Sequence, residues 1–192
     1  MYICFLGYKN NETKIINFLK KNDCKVDVYG NVKLDKKIIK KNYDLIISSG
    51  YKHIIKNEIL NNIKRAPINI HPSLLPYNKG RYPVFWSFYN NTPQGVTIHL
   101  IDSSIDGGDI IFSKKIIFSN NKMTFKKAFN TIKEEGEKLF IKNWNLIKSQ
   151  KYKQIKQNKY NYGSYNKKED FIYKFKWDEN VKTVIEKLKN KI

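Results

Sequence analysis

The chain has 192 residues, enough for one domain with a short appendage, and 41% of them are hydrophobic, which suffices for a sizeable core. No run of about 18 apolar residues occurs, so no membrane span is expected. The formal net charge is +20, yet all 37 basic residues except Arg65 and Arg81 are lysines, scattered along every element among abundant Asn and Ile. That distribution reads as a solvated basic surface. The alternative reading is selected attraction for anions, such as a phosphate-bearing substrate or RNA.

The opening MYICFLGY is too short for a signal peptide and has no basic lead, so a cytoplasmic protein is expected. Cys4 and Cys24 lie far apart without ligand spacing, and Cys4 reads as a buried thiol. Met1–Gly7 is an apolar run closed by glycine, a buried strand. Asn11–Asn22 has a helical pattern, with Ile15, Ile16, Phe18 and Leu19 on one side. Cys24–Tyr29 alternates as a strand, and Lys33–Lys41 is a charged helical linker. Asp44–Gly50 is a strand, Lys52–Ile63 a helix and Pro67–His71 a short strand. This β-α-β-α-β-α-β order predicts an α/β fold with an open, largely parallel sheet. Ligands of such sheets bind beyond the carboxyl ends of the strands, which is where Ser48–Tyr51 and Asn69–His71 fall. The first strand is followed by Gly7-Tyr8-Lys9-Asn10-Asn11, not by a dinucleotide fingerprint, so neither NAD nor FAD is expected.

Tyr82–Asn90 is aromatic and predicts a helix packed on the sheet. Gly95–Ile101 and Asp109–Phe118 predict an antiparallel pair at the sheet's end. Thr124–Ser149 predicts one long amphipathic helix that Thr124 caps. Gln150–Tyr162 reads as exposed, Tyr165–Asp170 as polar and Asn180–Ile192 as a last helix. The aromatic residues Tyr160, Tyr162, Tyr165, Phe171, Tyr173, Phe175 and Trp177 favour a tail that docks or forms a dimer. Two units follow: a domain over residues 1–149 and a C-terminal extension over 150–192.

The candidate site lies between Asn69 and Asp109, a stretch that holds four of the five prolines. Asn69 and His71 flank Ile70. With Ile70 turned into the core, both polar side chains face the other way, and two convergent donors suit a developing oxyanion. Asp106 lies 35 residues beyond His71 in a glycine-rich turn, where a carboxylate can orient a water, tune His71 or take a proton from an attacking amine. Taken alone, an Asn-x-His stabilises turns, an Asp-Gly-Gly makes a hairpin, and His99 reads as a hydrogen-bonded core histidine. No cysteine or carboxylate stands at metal-ligand spacing from His53, His71 or His99, so no metal is expected. No serine sits in a nucleophile elbow.

Three blocks in order, Asn69-Ile70-His71-Pro72-Ser73-Leu74-Leu75-Pro76, Gly95-Val96-Thr97-Ile98-His99 and Ile105-Asp106-Gly107-Gly108-Asp109, resemble the folate-dependent formyltransferase family. The resemblance covers roughly residues 1–149. It implies a Rossmann-like, mostly parallel sheet with helices on both faces, and transfer of the formyl group of N10-formyltetrahydrofolate to a primary amine. It further implies catalytic roles for Asn69, His71 and Asp106. Asn69, and His71 if protonated, would hold the oxyanion, and Asp106 would orient His71 and assist proton removal. The folate positions it implies are Gly50, Tyr51, Ile54 and Ile55, with Ile101, Asp102, Ser103 and Ile105.

The run Leu75–Arg81, the segments Phe85–Phe88 and Asn91–Val96 and the tail Gly163–Asp170 resemble the sugar-nucleotide N-formyltransferases of that family. These act on nucleotide-linked amino-deoxy sugars for surface polysaccharides such as O-antigen and lipopolysaccharide. The substrate contacts expected here are Tyr77, Asn78, Lys79, Arg81 and His99. The expected partners are a nucleotide-linked amino sugar and folate, with no membrane or nucleic acid and with room for a homodimer. Glycinamide ribonucleotide and methionyl-tRNA formyltransferases are the alternatives. The former usually carry a phosphate-binding turn that Gly7–Asn11 lacks. The latter carry a β-barrel domain that the residues after Ser149 are too few to supply. An inactive RNA-binding relative is the non-enzyme alternative.

Overall fold

The computed structural model describes residues 1–118, 122–157 and 162–190. Strands β1 (Tyr2–Gly7), β2 (Lys25–Gly30), β3 (Leu45–Ser49), β4 (Ile68–His71), β6 (Gly95–Leu100) and β7 (Ile110–Lys115) form a six-stranded sheet in the order β2-β1-β3-β4-β6-β7. The pairs from β2 to β4 are parallel, and the β4–β6 and β6–β7 pairs are antiparallel. The expected open, mostly parallel sheet with an antiparallel pair at one end is therefore present.

The central strands are apolar on both faces because both are covered. Ile3 and Phe5 of β1, Leu45 and Ile47 of β3, and Ile68 and Ile70 of β4 join one cluster. That cluster includes Ile15, Ile16 and Leu19 of helix α1 (Lys14–Lys21), whose start Thr13 caps by accepting from the Ile15 amide. It also takes in Ala128, Ile132 and Phe140 of helix α4 (Phe125–Lys142). Cys4, Leu6 and Ile46 face the opposite cluster with Ile38, Tyr43, Ile55 and Ile59.

This second layer is thinner than expected. Of the helix predicted over Lys52–Ile63, only α2 (Asn57–Leu60) forms. Its N-cap Lys56 makes no side-chain cap. Upstream, backbone and ring groups are tied to a neighbouring loop: Lys52 N donates to Asn31 Oδ1 and His53 Nε2 bonds Asn31 O. The expected linker helix is a short 3-10 turn, Lys36–Lys41. The predicted helix Thr124–Ser149 is two, α4 and α5 (Trp144–Ser149), with Asn143 ending one and opening the other. The Asn143 side chain donates to Leu139 O at 2.8 Å and competes with the helical ladder there. Thr124 caps α4 through the Lys127 amide, as expected.

The segment after Ser149 does not lie wholly in solvent. Ile155 and Ile110 exchange both backbone bonds at 2.9 Å, which lays the chain along β7. Further on, β8 (Tyr165–Asn166) pairs in parallel with β5 (Lys79–Gly80). Gly80 has φ +87, and a Cβ there would stand 2.3 Å from Asn166 O, so this pairing requires glycine. The later aromatics close on helix α3 (Pro83–Tyr89): around the buried Phe85 ring, Phe171 lies at 4.9 Å, Tyr173 at 5.2 Å and Phe175 at 5.4 Å between centroids. Helix α6 (Val181–Lys189) adds Val181 and Val184 to the same cluster. Helix α3 thus bridges sheet and tail, with Val84 in the sheet's core and Phe85 and Trp86 under the tail. Tyr160 among the expected docking aromatics, the remainder of residues 158–161, and Lys191 and Ile192 of the expected last helix lie outside the described residues.

Candidate active site

The register of β4 and β6 builds the site. Asn69 sits opposite His99 and His71 opposite Thr97, while Ile68, Ile70, Val96 and Ile98 turn to the core beneath. Four polar side chains therefore share one face at the sheet's carboxyl edge, beside Ser48 of β3. Asp106 reaches them from the loop between β6 and β7. It holds φ +49, a left-handed conformation that aspartate tolerates better than most residues. The loop folds back so tightly that a Cβ on Gly108 would stand 2.0 Å from Leu100 O.

Asp106 is the hub. Its Oδ1 accepts from Asn69 Nδ2 at 3.2 Å and lies 3.5 Å from His99 Nε2. Its Oδ2 accepts from the Gly80 amide at 2.9 Å and lies 3.5 Å from His71 Nδ1. Burial works against ionising this carboxyl. The adjoining His71 and His99 rings and the Gly80 amide outweigh it and hold the pKa well below the usual carboxylate range.

The carbonyl of Asn78 can only accept, so His71 Nε2 carries a hydrogen and donates it there at 3.0 Å. His71 is 4% exposed. Burial lowers its pKa, and the nearby Asp106 carboxylate offsets this only in part. The resting imidazole is therefore neutral at pH 7, with Nδ1 open towards a carboxylate that would stabilise an added proton. His99 Nδ1 donates to Leu100 O at 2.7 Å, so its Nε2 accepts from Asn69 Nδ2 at 3.1 Å. The two hydrogens on the Asn69 amide are thus aimed at Asp106 and His99. The reverse amide orientation would set oxygen against carboxylate.

The other expected positions divide into two groups. Asn78 is 0% exposed, its amide nitrogen donates to Thr92 and its amide oxygen accepts from Ser164 Oγ. Its side chain is closed to a ligand, contrary to the expected substrate contact, and it acts through its carbonyl on His71. His99, 2% exposed and bonded at both nitrogens, is likewise a support within the site. Tyr77 stacks on Tyr162 at 5.1 Å, and the exposed Arg81 donates to Lys52 O. The Lys79 backbone amide donates to Ser164 O at 2.9 Å.

Among the expected folate positions, Ile55 is a member of one apolar cluster on which Tyr51 and Ile101 also pack. Ile55 is buried within it, and the Tyr51 hydroxyl is tied to Val32 O and the Leu34 amide. Gly50, with φ +73, lies under the Tyr8 ring. Ile54 and Ile105 stay 72% and 43% exposed, and Ser103 and Ser104, next to Ile105 in sequence, are exposed as well. Asp102 accepts from the Ser104 amide and hydroxyl. Among the described residues no group of three or more His, Cys, Asp or Glu side chains could hold a metal, and no helix is long and apolar enough to cross a membrane.

Sequence reading missed the Gly80 amide and Gln157, both of which touch Asp106. A backbone donor carries no side-chain signal, and Gln157 stands in a polar run in which nothing marks it as buried.

The sheet order is that of a Rossmann-like formyltransferase fold. Residues 3–143 match the formyl transferase family, and the chain belongs to that family. Methionyl-tRNA formyltransferase of Fusobacterium nucleatum is 31% identical over 157 residues, covering 80% of this chain and 50% of that protein. The chain thus spans about half the length of that relative, and 37% of the Bacillus cereus methionyl-tRNA formyltransferase, which is 32% identical over 116 residues. Among solved structures, the formyltransferase PseJ from Anoxybacillus kamchatkensis, in complex with UDP-4,6-dideoxy-4-formamido-L-AltNAc and tetrahydrofolate, superposes with a TM-score of 0.86 at 36% identity over 96% of this chain and 97% of that one. A 4-N formyltransferase from Francisella tularensis gives 0.77 at 26% identity over 96% and 85%. The Helicobacter canadensis N-formyltransferase, in complex with folinic acid and dTDP-3-aminofucose, gives 0.74 at 25% over 92% and 75%.

Proposed function

We propose that this chain moves the formyl group of N10-formyltetrahydrofolate to the primary amine of a nucleotide-linked amino-deoxy sugar. The observation that carries the chemistry is the convergence of Asn69, His71 and Asp106, with Asp106 Oδ1 3.2 Å from Asn69 Nδ2 and Oδ2 3.5 Å from His71 Nδ1. In the reaction a C–N bond forms to the acceptor amine, the bond between the formyl carbon and N10 breaks, and one proton passes from the acceptor nitrogen to N10.

Asn69 is anchored by one amide hydrogen on Asp106. The other rests on His99 Nε2 and, released from it when the substrates bind, is the donor for the oxyanion that develops at the formyl oxygen. One such donor is worth roughly 3 kcal/mol in the transition state. His71, neutral and with Nδ1 open, takes the proton of the attacking amine, and Asp106 stabilises the resulting imidazolium. This differs from a protonated His71 holding the oxyanion, because burial keeps the resting imidazole uncharged. The exposed Ile54 and Ile105 offer apolar faces to a flat pterin, and the backbone of residues 101–105 offers its edge.

For the acceptor, the 36% identity to PseJ runs over 96% of this chain, tail included, and that relative was solved with a nucleotide-linked formamido sugar. Tyr77, Lys79 and Arg81 are the proposed contacts to the sugar nucleotide, and a lysine-rich rim suits a diphosphate. A role in surface polysaccharides such as O-antigen or lipopolysaccharide, in the cytoplasm, accompanies this reading. The second reading is methionyl-tRNA formylation, supported by the 31% identity to the Fusobacterium enzyme.

The test supplies N10-formyltetrahydrofolate with separate UDP-, dTDP- and GDP-amino sugars, glycinamide ribonucleotide and charged initiator tRNA. Formylated sugar nucleotide is the expected product. Turnover with the tRNA alone would overturn the choice of acceptor, and turnover with none, together with RNA binding, would overturn the chemistry.

A further inference from the structure

We infer that Gln157, in the C-terminal extension, is a positioning residue that sets the direction of the Asp106 carboxylate by clipping the backbone of its turn. The inference rests on the reading of Asp106 as a catalytic group. Gln157 is 5% exposed, and its single amide nitrogen donates to Asp106 O at 2.9 Å and to Gly108 O at 2.7 Å. These carbonyls stand on either side of Gly107, so one side chain closes the neck of the turn. The bonds span 51 and 49 residues of chain.

The orientation of the amide follows from the partners. Both carbonyls can only accept, so the nitrogen must face them. Among the described residues, Gln157 Oε1 is then left buried without a hydrogen-bond partner. A buried acceptor without a partner is unfavourable, and a residue serving only to fill space there would be aliphatic. The two donations are what this glutamine supplies in return. Their target is a residue at φ +49, where a change of backbone rotation swings the side chain. That side chain must reach Asn69, His71 and the Gly80 amide together. Ile155, two residues earlier, exchanges both backbone bonds with Ile110, so Gln157 is itself held in register with the loop it clips.

The test compares the parent protein with Gln157→Met, which keeps the volume without a donor, and Gln157→Glu, which keeps the shape but sets an acceptor against two carbonyls. Val184→Ala loosens the tail elsewhere and serves as control. In both Gln157 variants kcat should fall between ~10-fold and ~100-fold while KM for folate and acceptor stays within about twofold. Val184→Ala should lower Tm and leave kcat unchanged.

A second readout needs no turnover. The imidazole of His71 faces Asp106, His99, Lys79 and the Asn78 carbonyl; Asp106 first and the Asn78 carbonyl after it raise its pKa. In Gln157→Met the His71 titration followed by NMR should move to lower pH. Parent-like kcat, an unmoved His71 titration in Gln157→Met, or an equal loss of kcat in Val184→Ala would each overturn the inference. Failure of the formyl-transfer reading shows separately, as an inactive parent protein whose His71 titration still moves in Gln157→Met.

Discussion

His71 Nδ1 stands 3.5 Å from Asp106 Oδ2, while His71 Nε2 is already committed to the Asn78 carbonyl at 3.0 Å. The ring is therefore fixed at one nitrogen and open at the other, next to a carboxylate that stays ionised. Such a pair accepts a proton at one defined place.

Removing the amide of Asn69 should expose its part. Asn69→Ala is expected to lower kcat by ~100-fold or more with little change in the folate Kd, because the donor matters to the oxyanion and not to the resting donor molecule. Steady-state kinetics with a fluorescence titration of folate separates the two. Turnover near that of the parent would reduce Asn69 to a turn residue.

The pH dependence has a definite sign. His71 must be neutral to take a proton, and burial depresses its pKa below the ordinary ~6.5. Turnover should thus be flat at neutral pH and fall only as pH drops below that value. The same depression makes His71 a contributor to stability that is present above ~6.5 and lost as pH falls through the folded-state value. An acidic limb of kcat centred above 7 would contradict this order.

Away from the site, Asp27 accepts from the Tyr43 hydroxyl at 2.5 Å, the Tyr2 hydroxyl at 2.7 Å and Lys41 Nζ at 3.0 Å. Burial opposes its ionisation, yet these donors prevail and hold its pKa at about 2. A depressed carboxyl stabilises the fold above its unfolded value of ~4, and that contribution fades as pH falls towards 2. Urea midpoints between pH 2 and 5, taken as a range of about that width, should slope less in Asp27→Asn than in the parent. Equal slopes would remove Asp27 from the acid response.

Aromatic packing attaches the tail to the domain. Phe85 is fully buried among Phe171, Tyr173 and Phe175 of the tail and Phe125 of α4. Phe85→Ala should cost about 3–5 kcal/mol and lower Tm on the order of 10 °C, read by calorimetry. A loss below about 1 kcal/mol would mean that the aromatic cluster does not hold the tail.

The alternation in β4 and β6 was legible because a strand has only two faces: with Ile68 and Ile70 in the core, Asn69 and His71 had to share the other. That Asp106 would meet them followed from three motif blocks in sequence, not from periodicity. The helix Lys52–Ile63 failed because contacts to Asn31, which no local pattern reveals, hold its first turn open. Asn78 was expected to touch substrate only through the resemblance of the run Leu75–Arg81, which does not reveal that Thr92 and Ser164 hold its side chain inside. Gln157 was hidden because its partners are backbone carbonyls about 50 residues away.

The most direct measurement is the single-turnover rate of formyl transfer to the preferred amino sugar in the parent protein and in Asp106→Asn, under saturating N10-formyltetrahydrofolate. A carboxylate that fixes Asn69 and stabilises protonated His71 predicts a chemical step slowed by ~100-fold or more, with folate binding unchanged. An Asp106→Asn protein that transfers the formyl group at the parent rate would contradict it.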